Sequence, residues 1–206
     1  MFKLFKRKEV SDNDPKDEFW NWFLDHKVDL EKFIDTKDRN YFIYNQLSKE
    51  IKKYNHNLCP EITKIDGKYI LIITPDGKKD GVQPTKKLFK NHPKTENWVV
   101  KKFRQPKDKV QLNFNGIEYP SSDIEIYPEL IKLEDKVDIQ VYIKNMDEDE
   151  KNYKSLAFLY LDHIIGEFNT ITKVRYIDFY NLKENETVEG SISILELRKL
   201  IEKELY

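Results

Sequence analysis

The chain has 206 residues, with 36 Lys and Arg against 37 Asp and Glu, so its formal net charge of −1 gives no bulk attraction to nucleic acid or anionic lipid. Apolar residues make up 39%, including 12 Phe, 12 Tyr and 3 Trp, which is enough to fill a sizeable core, and no stretch approaches the roughly 18 apolar residues of a membrane span. Cys59 is the single cysteine, which excludes an intramolecular disulfide framework and a four-thiolate zinc site.

Residues 1–13 are expected as a flexible basic tail, since Lys3, Lys6, Arg7 and Lys8 precede no apolar run of the length a secretory signal needs. Asp14 as cap, Pro15 at the first helical position, and Asp17 and Glu18 in the first turn announce a helix. Its apolar face carries Phe19, Trp22, Phe23, Leu30, Phe33 and Ile34, with Trp20 off the stripe. A second helix is expected over 39–54, carrying Phe42, Ile43, Leu47, Ile51 and Tyr54. The period then changes: Ile62 to Ile65 and Tyr69 to Ile73 flank Asp66-Gly67, the pair a type I′ hairpin turn requires. Thr74-Pro75-Asp76-Gly77 ends that strand, a short helix is expected over 84–91, and Trp98 to Phe103 reads as a strand with Trp98 and Val100 on one side.

Val110, Leu112 and Phe114 alternate with polar residues before Asn115-Gly116, which suggests a second hairpin returning through Ile117 to Tyr119. Val137, Ile139, Val141 and Ile143 alternate as in a half-buried strand. The acidic run Asp147 to Glu150 suits the positive end of a helix expected over 152–168, which puts Ala157, Tyr160, Leu161, Ile164 and Phe168 on one side and Ser155, Asp162 and Gly166 on the other. A strand is expected over 170–180, and Ser193 with Glu196 forms a capping box for a last helix carrying Leu197, Leu200 and Ile201. The order predicts an α+β fold: a largely antiparallel sheet covered by helices, with an N-terminal helical pair and a C-terminal helix. A single domain over 14–206 is expected, with a subdivision near 104–110 as the alternative.

Charge is unevenly placed. Between Lys86 and Lys109 there are nine basic and two acidic residues, and between Glu118 and Glu150 three basic and eleven acidic. These blocks either face each other, spread over solvated surface, or meet a partner. Lys86, Lys87, Lys90, Lys101, Lys102 and Arg104 are the candidate binding residues of the basic block. They are interleaved with Phe89, Trp98 and Phe103, so stacking on nucleic-acid bases is one use open to them.

The best candidates for catalysis are Asp162, His163 and Glu167, because a His and a Glu four apart on a helix can share a proton or a metal. One His and one carboxylate fall short of a zinc site, and His26, His56 and His92 are scattered. No phosphate-binding glycine loop and no nucleophile elbow occurs, and Cys59 before Pro60 reads as a small packed side chain. No cofactor and no metal site is expected.

Four patches, Phe19-Trp20-Asn21-Trp22-Phe23, Ile72 to Gly77, Trp98-Val99-Val100 through Phe103-Arg104-Gln105-Pro106, and Leu161 to Glu167, resemble an uncharacterised family of bacterial cytoplasmic domains. The resemblance spans residues 19–181 and implies a shared fold, with no activity or catalytic residue to carry over. The function expected is a non-enzymatic cytoplasmic interaction domain that binds another protein, of immunity type or similar. The alternatives are a metal-binding or hydrolytic enzyme centred on His163 and Glu167, and nucleic-acid binding through residues 86–109.

Overall fold

Two hairpins, each followed by a helical crossover, organise the chain. The structure is a computed structural model, and it describes residues 14–36, 40–114, 117–146 and 150–205. The basic tail, the Asn115-Gly116 turn and the acidic run Asp147 to Asp149 lie outside the described residues. The N-terminal pair is α1 (Pro15–Thr36) and α2 (Phe42–Tyr54), leading into β1 (Cys59–Ile65) and β2 (Lys68–Thr74). Asp66 and Gly67 take φ of 48° and 78°, as the Asp-Gly pair predicts, and Ile65 pairs with Lys68. Helix α3 (Val82–Lys90) then carries the chain to β3 (Trp98–Lys102), which pairs parallel to β2.

After a short ladder of β4 (Asn113–Phe114) and β5 (Ile117–Glu118), the plan repeats. β6 (Ile124–Ile131) and β7 (Lys136–Lys144) are antiparallel, and α4 (Glu150–Leu161), a π-helical turn (Asp162–Gly166) and α5 (Glu167–Lys173) lead to β8 (Val174–Leu182), parallel to β7. Helix α6 (Ile194–Glu204) closes the chain behind the Ser193 and Glu196 capping box. The fold is α+β, with the N-terminal helical pair and C-terminal helix expected. Its strands form two three-stranded mixed sheets, β1-β2-β3 and β6-β7-β8, because each crossover helix returns the chain parallel to the strand it left.

Each sheet has its own core. Phe19, Trp20, Phe23, Leu47, Ile51, Leu71, Ile73, Leu88 and Trp98 form one, and Ile126, Val141, Ile143, Leu156, Tyr160, Leu161, Leu197 and Ile201 belong to the other. Val100 belongs to the first and Val110 packs on the second, so the change-over falls at the 104–110 segment. Trp20 is buried, its indole N–H donating to the Leu88 carbonyl at 3.1 Å, so a residue off the predicted stripe joins α1 to α3. No described helix is long and apolar enough to cross a membrane.

Three segments differ from the sequence reading. Residues 170–173, expected as the start of the 170–180 strand, are helical, with the Thr170 and Thr172 hydroxyls donating to the carbonyls of Gly166 and Phe168 four residues back, and the strand begins at Val174. The helix expected to run unbroken from 152 to 168 contains the π turn at 162–166. The wider turn changes which residues face inward, so Asp162 and Gly166, expected on the solvent side, are buried. β6 was not anticipated, since Pro128 interrupts its pattern. It is an edge strand of the sheet, the position where proline is tolerated.

Candidate functional site

The π turn lies against the segment that joins the two cores, and backbone hydrogen bonds strap the two together. Glu167 N donates to Arg104 O at 3.1 Å and Lys107 N to His163 O at 2.8 Å. Both sides of the strap have unusual backbone. Phe103, bulky and buried, has φ of 62° at the end of β3, with its N–H donating to Ile73 O, and this left-handed residue points Arg104 inward. Gly166 has φ of 91°, and a Cβ there would lie 3.1 Å from Pro106 Cδ. A π turn inserted in a helix is a frequent marker of function, here placed beside a buried ionic cluster.

Glu167 is fully buried. Its Oε1 accepts from Thr74 Oγ1 at 2.5 Å and Gly77 N at 3.2 Å, and its Oε2 accepts from Arg104 N at 3.1 Å. The Arg104 guanidinium is ringed by carboxylates. Nε and Nη2 meet Glu61 Oε1 at 2.7 Å, Nη2 also meets Asp76 Oδ1 at 2.7 Å, and Nη1 meets Asp162 Oδ2 at 3.0 Å and Glu167 Oε1 at 3.5 Å. A planar fork with five N–H donors suits such a hub, and its donors are used up by it. Four formal negative charges share one cation. Burial, followed by the charge of Glu167, therefore pushes the Asp162 carboxyl up to about 6, with Arg104 opposing. Burial alone would weaken the charge on Arg104, but Asp76, Glu61 and Glu167 more than reverse that and hold its proton more tightly.

The predicted partnership of His163 with Glu167 does not form. The π turn takes the two residues out of simple i, i+4 register, and Glu167 turns to Thr74, Gly77 and Arg104. His163 Nδ1 is buried without a hydrogen-bond partner, and burial with the nearby charges of Lys107 and Arg104 holds the imidazole below its usual pKa, favouring the neutral ring. His26 stacks on Trp22 at 4.3 Å, His92 on Phe89 at 4.5 Å, and His56 is exposed, so the histidines do not converge. Among the described residues no group of three or more His, Cys, Asp or Glu is placed to hold a metal ion.

The candidate binding residues lie on two neighbouring elements and the segment that follows them. Lys86, Lys87 and Lys90 ride on α3, Lys101 and Lys102 on β3, and Arg104 is turned inward. Lys86 and Lys102 line a pocket of about 340 Å³ with Phe103, Pro106, Ile165, Gly166 and Phe168. Their ammonium groups sit over the rings of Phe168 and Phe89 at 4.4 and 5.5 Å. The acidic block finds its cations elsewhere, Glu125 at Lys144, Asp135 at Lys173, and Glu134 and Asp138 at Arg175. On the other side of Arg104 a larger cleft of about 640 Å³ lies between α4, α5, β8 and the 76–79 loop.

Three of the four patches singled out in the sequence meet here: Thr74 to Gly77, Phe103 to Pro106, and Leu161 to Glu167. Sequence reasoning did not single out Glu61, Thr74 or Asp76 as members of the cluster, and no motif could have done so, since they join only through folding. No protein-family model, curated protein or solved structure matches the chain, so what the site can do follows from its own geometry, and the resemblance of its patches brings no activity to it.

Proposed function

We propose that this protein is a non-enzymatic interaction domain whose lysine face around Lys86 and Lys102 docks an acidic segment of another protein. The observation that carries this is the imbalance of pairing. Among the described residues, none of Lys86, Lys87, Lys90, Lys94, Lys101, Lys102, Lys107 and Lys109 forms an ion pair, while several acidic-block carboxylates are paired with cations of their own half. An unneutralised basic surface steers an anionic partner, and the pocket between Lys86 and Lys102 offers that partner an apolar anchor point on the exposed Pro106. The enzymatic alternative has less support. Glu167 is committed to structural hydrogen bonds, and His163 does not meet it. Nucleic acid would find the same lysines but few rings to stack on, since Trp98 and Phe103 are buried and Phe89 and Phe168 lie beneath lysines. A cytoplasmic setting goes with this proposal.

Fluorescence anisotropy separates the possibilities. A short Asp- and Glu-rich peptide carrying one Leu should bind at low salt, weaken with rising salt, and lose binding to a Lys86→Glu, Lys102→Glu variant. Tighter binding of an oligothymidylate of equal charge would shift the assignment to nucleic acid. Binding of neither probe would remove the lysine face as a docking surface.

A further inference from the structure

The cleft on the far side of Arg104 has a different chemistry from the lysine face. Its walls are Phe158 and Leu159 of α4, Ile171 of α5, and Val174 and Ile177 of β8, and its volume of about 640 Å³ lies within the range of small-molecule sites. Phe158 is 43% exposed, a large ring left open to solvent beside four aliphatic side chains. At the inner end stand Asp76, Asp162 and Arg104.

That inner end offers acceptors. The donors of Arg104 are consumed by Glu61, Asp76, Asp162 and Glu167, so it has nothing left for an incoming anion. Asp162 is 8% exposed, and only its Oδ2 is engaged, by Arg104, which leaves Oδ1 for the cleft. Asp76 likewise gives only Oδ1 to Arg104 and keeps its second oxygen. Glu61 and Glu167 behind them add negative charge that the one guanidinium does not balance. Lys78 and Lys79 also line the cleft. They are exposed, so water screens their charge more than it screens the inner carboxylates.

We infer that this cleft binds a small amphipathic amine, with its ammonium group donating to Asp76 and Asp162 and its apolar body lying on Phe158, Leu159, Ile171, Val174 and Ile177. The site is independent of the lysine face: it lies across the Arg104 cluster from Lys86 and Lys102 and takes a ligand of opposite charge. Arg104 and Glu167 act as positioning residues that hold the two carboxylates with one oxygen each turned outward.

The test uses the full chain and two probes of like shape and opposite charge, 2-phenylethylamine and 3-phenylpropionate, with binding followed by isothermal calorimetry near neutral pH. The amine should bind and the carboxylate should not. Asp76→Asn keeps the acceptor for Arg104 but removes the charge, and Phe158→Ala removes an exposed wall. Each should weaken amine binding by about tenfold or more. Both positions are exposed at the surface, and tryptophan fluorescence with far-UV circular dichroism checks that the variants fold. Equal binding of both probes, amine binding indifferent to both variants, or no amine binding would overturn the assignment. None of these results bears on peptide binding at Lys86 and Lys102, so the two proposals fail separately.

Discussion

Replacing Glu167 with Ala removes the acceptor that joins β2, the 76–79 loop and the Arg104 strap to α5. Three donors lose their partner: the Thr74 hydroxyl, the Gly77 amide and the Arg104 amide. A buried donor left unsatisfied costs about 1–3 kcal/mol, while Arg104 keeps three other carboxylates and some crowding of negative charge is relieved. The net expected loss is about 3–5 kcal/mol, the range found when one partner of a buried ion pair is deleted. With a urea slope of about 2 kcal/mol per molar, the unfolding midpoint falls by about 2 M. Because Trp20, Trp22 and Trp98 all lie in the half built on β1-β2-β3, tryptophan fluorescence follows that half and far-UV circular dichroism follows both. The two transitions should coincide in the unaltered protein and separate in Glu167→Ala, with Glu167→Gln intermediate because it keeps one acceptor oxygen. A loss under about 1 kcal/mol with coincident transitions would refute the idea that Glu167 couples the two cores.

Asp162 gives a pH signature. Its carboxyl rises from 3.8 to about 6 on folding, so the folded state holds the proton more tightly, and the stability this confers is complete below about pH 4 and lost as pH climbs through about 6. The shift corresponds to about 3 kcal/mol, and Asp162→Asn should flatten the urea midpoint across that window. Gly166→Ala should cost about 1–3 kcal/mol in the same assay, because it forces a side chain into positive φ against Pro106. Ser193→Ala, which removes the α6 cap, should cost about 1 kcal/mol, and Trp20→Phe about the same through loss of the Leu88 hydrogen bond.

The local elements were legible where neighbouring residues alone settle the backbone. Asp66-Gly67 takes the turn its two residues favour, Ser193 and Glu196 cap α6 reciprocally, and β7 buries every second residue from Val137 to Ile143 as its alternation requires. The pattern failed at Thr170 to Lys173, expected as the start of the 170–180 strand. Hydroxyl bonds back to Gly166 and Phe168 accompany a helix restarted beyond the π turn.

The candidate site was only half legible. Asp162, His163 and Glu167 stood out as a titratable group on one helix, and Arg104 as a member of a basic block, but helical spacing paired Glu167 with the wrong side chain. Its partners Thr74 and Arg104 lie 93 and 63 residues away in sequence. Spacing in the chain therefore determined the α+β class, the turns, the caps and the alternating strands, all set by interactions over a few residues. Only the tertiary structure decided that the arginine would be enclosed and the lysines around it left open. Burial, which raises the cost of every unpaired charge, depends on which distant segments come to cover one another.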